Sequence, residues 1–146
     1  MAQHSSSLAE VPDHLVLSLH GFLEQACILA ITDVRGTIVY ANDAFCEISG
    51  YSRAELLGAN HRILKSGVHS REYFTSMWKT IASGRVWRGE ICNRRKDGTL
   101  YWVDATLSPI RGDDGKISHY VALRVDITDA KEAQQRFIEQ ERLATV

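Results

Sequence analysis

The segment Trp87–Ile110 contains two runs of alternating apolar and polar residues on either side of a short turn. The turn holds Lys96-Asp97-Gly98, and an Asp-Gly pair between two such runs is a strong signal for a β-hairpin. Side chains two positions apart share one face of a strand. One face of the first strand therefore carries Trp87, Gly89, Ile91 and Asn93. That face either binds a planar ligand or packs in the core.

The apolar spacing before this segment predicts a helix and a second hairpin. Residues 1–11 begin with a polar, Ser-rich stretch, and we expect them to be disordered. Residues 12–26 carry apolar side chains at helical spacing, which predicts an amphipathic helix that must lie on the sheet or on another subunit. The runs 27–33 and 37–42 predict two short strands joined through Arg35-Gly36.

A helical crossover is predicted between the two hairpins. Residues 43–49 and 52–57 have the spacing of two short helices, and the second opens with a Ser-x-x-Glu capping box formed by Ser52 and Glu55. Residues 70–83 predict a longer helix. Its apolar face consists of Phe74, Met77, Trp78 and Ile81.

The order of these elements predicts the fold class. Residues 116–128 form the last expected strand. Two strands, a block of helices and three further strands joined by tight turns predict an α+β fold, a five-stranded antiparallel sheet with short helices on one face. Residues 129–146 contain no Gly or Pro and carry a narrow apolar stripe, so they form either a coiled-coil helix or a solvated one. The predicted divisions are 1–11, 12–26, 27–128 and 129–146.

Composition and charge narrow the classes of partner. The chain has 146 residues, 45% of them hydrophobic, which fits one globular domain with a core. A net charge of -1 argues against a broad basic field for a nucleic acid backbone or an anionic membrane. We expect a cytoplasmic location, because the longest purely apolar run, 27–31, is far shorter than the roughly 20 residues of a membrane span. Three cysteines without metal-type spacing indicate reduced thiols and no zinc site.

Several motifs within residues 15–128 resemble the PAS family of sensor domains. They are TDVRGTIVYANDAFCEISGYSRAELLG, NRRKDGTLYWV, and a strand ending in VDIT that leads into a helix. Within that family the chain most resembles FAD-binding redox sensors of the aerotaxis and nitrogen-fixation type, which share Trp-x-Gly, three residues, and then NRRK. Here the pattern is formed by Trp87, Gly89 and the stretch 93–96. The resemblance implies a PAS fold and non-covalently bound FAD, with FMN as the alternative flavin.

The resemblance also implies the positions of a ligand site. In such proteins the counterpart of Asn93 hydrogen-bonds the flavin ring, and the counterparts of Asn60, Trp78 and Trp87 lie around the pocket. We assign five further residues to the same site, which are His61, Ile91, Val103, Ala122 and Arg124.

Two departures distinguish the chain from the light-oxygen-voltage photoreceptors, a sister group. Those proteins carry a reactive cysteine in a motif resembling GxNCRFLQ, whereas this chain reads GANHRIL with His61 at that place. A thiol must lie against the flavin C4a atom to add to it, so we expect no photoadduct. The photoreceptors also have Asn at the position of Val103 and Gln at that of Arg124. Aerotaxis-type domains can carry Arg at the latter position, so the resemblance favours redox sensing over light sensing.

Flavin chemistry explains how these side chains could report a redox state. Reduction converts N5 from an acceptor to a donor and adds negative charge near N1 unless that site is protonated. Asn93 can rotate its amide to present a donor or an acceptor, whereas Arg124 offers donors only. The alternative for Arg124 is a surface ion pair with Asp104 or Asp126.

The resemblance implies a sensory domain that passes its signal through residues 129–146 to an output module such as a histidine kinase. We expect a homodimer that associates through the N- and C-terminal helices. No catalytic constellation and no Gly-rich phosphate loop stands out in the sequence, which argues against an enzyme. A cofactor-free interaction module and a sensor of haem or a small metabolite are the alternatives. Haem-binding relatives carry their proximal His on the long helix, and residues 70–83 contain none.

Overall fold

A five-stranded antiparallel sheet in the order β2-β1-β5-β4-β3 forms the framework of the protein, whose computed structural model describes residues 10–145. The strands are β1 (Ile28–Asp33), β2 (Ile38–Ala41), β3 (Trp87–Arg94), β4 (Leu100–Arg111) and β5 (Ile117–Asp126). The helices are α1 (Asp13–Ala26), α2 (Asp43–Ser49), α3 (Arg53–Leu56), a 3₁₀ turn (His61–Leu64), α4 (Arg71–Ala82) and α5 (Thr128–Ala144). The predicted α+β class with five antiparallel strands is confirmed.

The turn between β3 and β4 sets the register of the hairpin. Gly98 adopts a left-handed φ of 91°, and the Asp97 carboxylate accepts hydrogen bonds from the backbone and the hydroxyl of Thr99. This register pairs Asn93 directly with Tyr101. The turn also packs on the crossover, because the Lys96 amine forms an ion pair with Glu55 at 2.6 Å.

Side-chain caps fix the crossover helices at the positions that the sequence indicates. The buried Asn42 Oδ1 accepts from the backbone N–H groups of Phe45 and Leu29, so it caps α2 and ties it to β1. Ser52 and Glu55 form the predicted capping box at the start of α3. Phe45, Leu56 and Leu64 are completely buried against the inner face of the sheet.

The two terminal helices differ in how they meet the sheet. No residue of α1 is buried, and most of its apolar side chains are exposed, Phe22 by 66%. The first turn of α5 is attached to β4, because the Ile127 amide donates to the Trp102 carbonyl and the Trp102 amide donates to the Thr128 hydroxyl. Beyond that turn α5 is exposed. No helix within residues 10–145 is long and apolar enough to cross a membrane, and the segment 1–9 of the expected disordered N-terminus lies outside the described residues.

Candidate functional site

A cavity of about 300 Å³ lies between the inner face of the sheet and the crossover helices, at the lower end of the range for ligand pockets. Its apolar walls come from α4, β3 and β4. These walls are formed by Phe74, Met77, Trp78, Ile81, Ile91 and Leu107. The polar lining residues come from β1, the loop before the 3₁₀ turn, β3 and β5. They include Thr32, Asn60, His61, Asn93, Tyr120 and Arg124.

Arg124 is the largest fully buried side chain of the described residues, with only 1% of its surface exposed. Its guanidinium carbon lies 4.5 Å from the centre of the Phe45 ring. None of its three side-chain nitrogens has a hydrogen-bond partner within residues 10–145. Burial lowers the pKa of Arg124, whereas an adjacent carboxylate would raise it. A buried cation with its donors unused is costly, so this site is suited to a ligand that supplies acceptors.

The surface ion pair considered for Arg124 is wrong. Asp104 instead pairs with Arg88, whose Nη2 lies 3.1 Å from the carboxylate. Asp126 accepts hydrogen bonds from the backbone and the hydroxyl of Thr128. Both carboxylates are therefore used elsewhere, and the strand alternation points Arg124 inward with Tyr120 and Ala122.

Asn93 and Tyr101 add two more unpaired polar groups to the same interior. Asn93 is 4% exposed and Tyr101 is completely buried. Across the described chain, neither the Asn93 Nδ2 atom nor the Tyr101 hydroxyl has a hydrogen-bond partner. Burial raises the pKa of Tyr101, and the charge of Arg124 opposes that rise.

Asn60 and His61 line the cavity from the loop that precedes α4. The Asn60 side chain is held in place, because Oδ1 accepts from the Arg62 amide and Nδ2 donates to the Arg35 carbonyl at 3.1 Å. His61 follows it. Burial, reinforced by the charge of Arg124, lowers the pKa of His61 to about 3, so the imidazole is neutral at physiological pH.

Three of the nine residues assigned from the sequence do not line the cavity. Val103 is fully buried in the core, and Ala122 lies on the inner face without reaching the cavity. The Trp87 ring covers Gly89, where a Cβ atom would lie 2.6 Å from the indole, and it meets Tyr73 edge-on at 5.6 Å. The structure brings together the other six, which are Asn60, His61, Trp78, Ile91, Asn93 and Arg124.

Three basic residues that sequence reasoning missed also line the cavity. Arg35, Arg62 and Lys65 are exposed, so they mark the side on which the cavity opens to solvent. Arg35 and Arg62 lie inside quoted motifs, and Lys65 directly follows the GANHRIL motif, but nothing in their spacing points to a ligand. Their charge suits an anionic part of a ligand.

These features together describe a site for a flat, largely apolar ligand with hydrogen-bond acceptors on one edge. The inner donors are Arg124 and Asn93, and the opening is positively charged. No group of three or more His, Cys, Asp or Glu residues that could hold a metal ion occurs in the part of the chain that the structure describes.

Comparison with known proteins identifies a family and several relatives. Residues 25–129 match the family described as PAS domain. The chain is 42% identical over 115 residues to a nitrogen fixation regulatory protein of Klebsiella oxytoca, covering 78% of this chain and 23% of that protein. It is 37% identical over 106 residues to the aerotaxis receptor of Escherichia coli strain K12, covering 73% of this chain and 21% of the receptor. The chain thus spans less than a quarter of either relative.

A solved structure gives a similar overall shape. It is named "Flavin Analogue Sheds Light on Light-Oxygen-Voltage Domain Mechanism". The two chains superpose with a TM-score of 0.69 at 26% identity, and the match covers 88% of this chain and 96% of the other. The likeness therefore extends over the whole of that domain.

Proposed function

The chain belongs to the PAS domain family, and we propose that it is an input domain that binds a flavin non-covalently and senses redox state or oxygen. The observation that carries this proposal is the cavity lined by the unpaired donors of Arg124 and Asn93. A flavin ring is planar and presents carbonyl oxygens and ring nitrogens that accept hydrogen bonds, so the residues present fit the group. When bound, a flavin supplies reversible two-electron redox chemistry.

We assign separate roles to the residues around the cavity. Arg124 and Asn93 would donate to the polar edge of the ring, and the apolar walls from α4 and β3 would exclude water from it. The basic residues Arg35, Arg62 and Lys65 would meet the phosphates. We favour FAD over FMN because of the resemblance to FAD-binding redox sensors, which agrees with the identity to the nitrogen fixation regulatory protein and the aerotaxis receptor.

Redox sensing fits the side chains better than light sensing through a cysteinyl adduct. Cys27, Cys46 and Cys92 all lie in the described range, and none of them lines the cavity. His61 occupies the place of the reactive cysteine in the resembling motif. Arg124 places a permanent positive charge in the interior, which favours negative charge on a bound group. A redox change that alters the ligand's charge therefore changes its interaction with Arg124.

We further propose that the signal leaves through α5 to an output module, such as a histidine kinase, in the full-length protein. The exposed apolar side chains of α1 and of α5, among them Phe22 and Phe137, support a homodimer formed through both terminal helices. Size-exclusion chromatography with light scattering on residues 1–146 and on a Phe22→Glu variant measures this association directly. A monomeric wild type would contradict the dimer.

A visible absorption spectrum of the purified protein tests the cofactor. We expect a flavin absorption band at about 450 nm. Denaturation should release FAD, identified by chromatography and mass. A haem absorption band at about 400 nm would contradict the proposal, and so would a colourless protein that takes up neither FAD nor FMN. The colourless result would favour a cofactor-free interaction module.

Blue light on the anaerobic, reductant-free protein tests the choice between redox and light sensing. We expect no cysteinyl adduct absorbing at about 390 nm, because no cysteine thiol lines the cavity. Dithionite should instead reduce the flavin and bleach its band, and reoxidation by air should restore the band. A reversible adduct under illumination would contradict this part of the proposal.

A further inference from the structure

The Tyr101 hydroxyl is a buried polar group that the site described so far does not use. Tyr101 is completely buried and is the direct cross-strand partner of Asn93. It does not line the cavity itself, whereas Asn93 does. Among the described residues its hydroxyl, the Asn93 amide nitrogen and the Arg124 guanidinium are all unpaired.

Packing explains the ring of Tyr101 but not its oxygen. The ring belongs to the core cluster, and the Arg95 guanidinium carbon lies 5.2 Å from its centre. A phenylalanine would fill the same volume without burying an unpaired hydroxyl, which is costly in an apolar interior. The oxygen therefore needs a separate explanation.

The chemistry of the three unpaired groups is complementary. The Asn93 amide nitrogen and the Arg124 guanidinium can only donate, whereas a phenol hydroxyl can accept and donate. The charge of Arg124 and the neighbouring Asn93 amide both lower the pKa of Tyr101 against the larger rise caused by burial. Asn93 and Tyr101 are paired directly across β3 and β4, and Asn93 and Arg124 line the same cavity, although no hydrogen bond joins the three groups within residues 10–145.

We propose that Tyr101 is a positioning residue, whose hydroxyl accepts a hydrogen bond from the Asn93 amide or the Arg124 guanidinium when a ligand fills the cavity. The hydroxyl then fixes the orientation in which these donors meet the ligand. This inference rests on the proposed flavin function and extends it, because Tyr101 itself does not touch the cavity. It predicts that the hydroxyl stabilises the ligand-bound protein but not the ligand-free protein.

The test compares Tyr101→Phe with wild type in two states, stripped of flavin and reconstituted with FAD. In the stripped protein we expect the same or a higher unfolding temperature, because the variant no longer buries an unpaired hydroxyl. The dissociation constant for FAD, measured by quenching of flavin fluorescence, should rise about threefold to tenfold, the value of one hydrogen bond. The absorption maximum and the midpoint potential of bound FAD should also shift.

Tyr73→Phe is the matched control. The Tyr73 hydroxyl donates to the Glu90 carbonyl at 2.6 Å and lies outside the cavity lining, so its loss should lower the stability of both states equally and leave FAD affinity unchanged. A Tyr101→Phe variant that behaves like this control, or that binds FAD within twofold of wild type at an unchanged potential, overturns the inference. Failure of the wild type to bind any flavin instead overturns the proposed function, and the role of Tyr101 with it.

Discussion

Replacing Arg124 with Met should stabilise the protein when no flavin is bound and weaken its affinity for FAD. The side chain is 1% exposed, and its guanidinium nitrogens are unpaired within the described residues. Met retains most of the apolar stem of Arg and is flexible enough to fill the same space. The substitution therefore removes the buried charge while changing the packing little.

The expected magnitude follows from two opposing contributions. Leaving a buried charged group without a partner costs about 3–5 kcal/mol. The contact of Arg124 with the Phe45 ring, at 4.5 Å, recovers at most about 2 kcal/mol. We expect the flavin-free variant to be more stable than wild type by about 1–3 kcal/mol. For a domain of this size that corresponds to a rise in unfolding temperature of roughly 2–12 °C.

Thermal and urea unfolding of the flavin-free proteins, followed by circular dichroism, measures this difference. Arg88→Met is the control, because Arg88 is exposed and pairs with Asp104 at the surface, where its loss should change stability by less than about 1 kcal/mol. The affinity of Arg124→Met for FAD should fall about tenfold or more, the value of a charged hydrogen bond. If the flavin-free Arg124→Met protein unfolds below wild type, the guanidinium is already satisfied and the reasoning fails.

Three further predictions follow from the same interior. Asn93→Ala should lose roughly 1–3 kcal/mol of FAD binding energy, and unchanged flavin content at an unchanged midpoint potential would show that Asn93 is not a ligand. The folded-state pKa of His61, about 3, lies below its unfolded value of 6.5, so unfolded chains bind the extra proton and stability falls as pH drops from 6.5 to 3. The free energy of unfolding, measured by urea titration, should change by at most about 1.4 kcal/mol per pH unit through this group, and His61→Gln should flatten that dependence. An unaltered slope would refute the assignment. Spin labels on α5 should report different distances in oxidised and dithionite-reduced wild type but not in Arg124→Ala, and full switching in that variant would exclude a route through Arg124.

Local sequence signals account for most of the fold. The turn at Asp97-Gly98 and the capping box of Ser52 with Glu55 are formed by residues close together in the chain, so their patterns could be recognised without knowledge of the tertiary structure. The same holds for the apolar face of α4, where Met77 and Ile81 are buried. Each of these elements depends on interactions within a few residues.

The composition of the cavity depends on contacts between distant segments, and the sequence could predict it only in part. The alternation along β5 places Arg124 on the inner face of the sheet, but its complete burial depends on the contact with Phe45 of α2. The alternation along β3 places Trp87 on the same face as Asn93, yet its ring packs on Gly89 and Tyr73 and does not line the cavity. Strand periodicity predicts on which face of the sheet a side chain lies, but it does not predict the direction in which a long side chain extends from that face.

The positions of Arg124 and Tyr101 relative to α5 bear on the proposed signal route through this helix. Tyr101 directly precedes Trp102, whose backbone amide and carbonyl bond the Thr128 hydroxyl and the Ile127 amide at the start of α5. Arg124 lies two residues before Asp126, which accepts from the Thr128 amide. The groups that hold the first turn of α5 belong to β4 and to the end of β5, so we expect a shift of either strand to move that turn. Both strands thus contact the same turn, and the proposed signal route predicts that a change in donors within the cavity alters the angle of α5 without direct contact between that helix and the ligand.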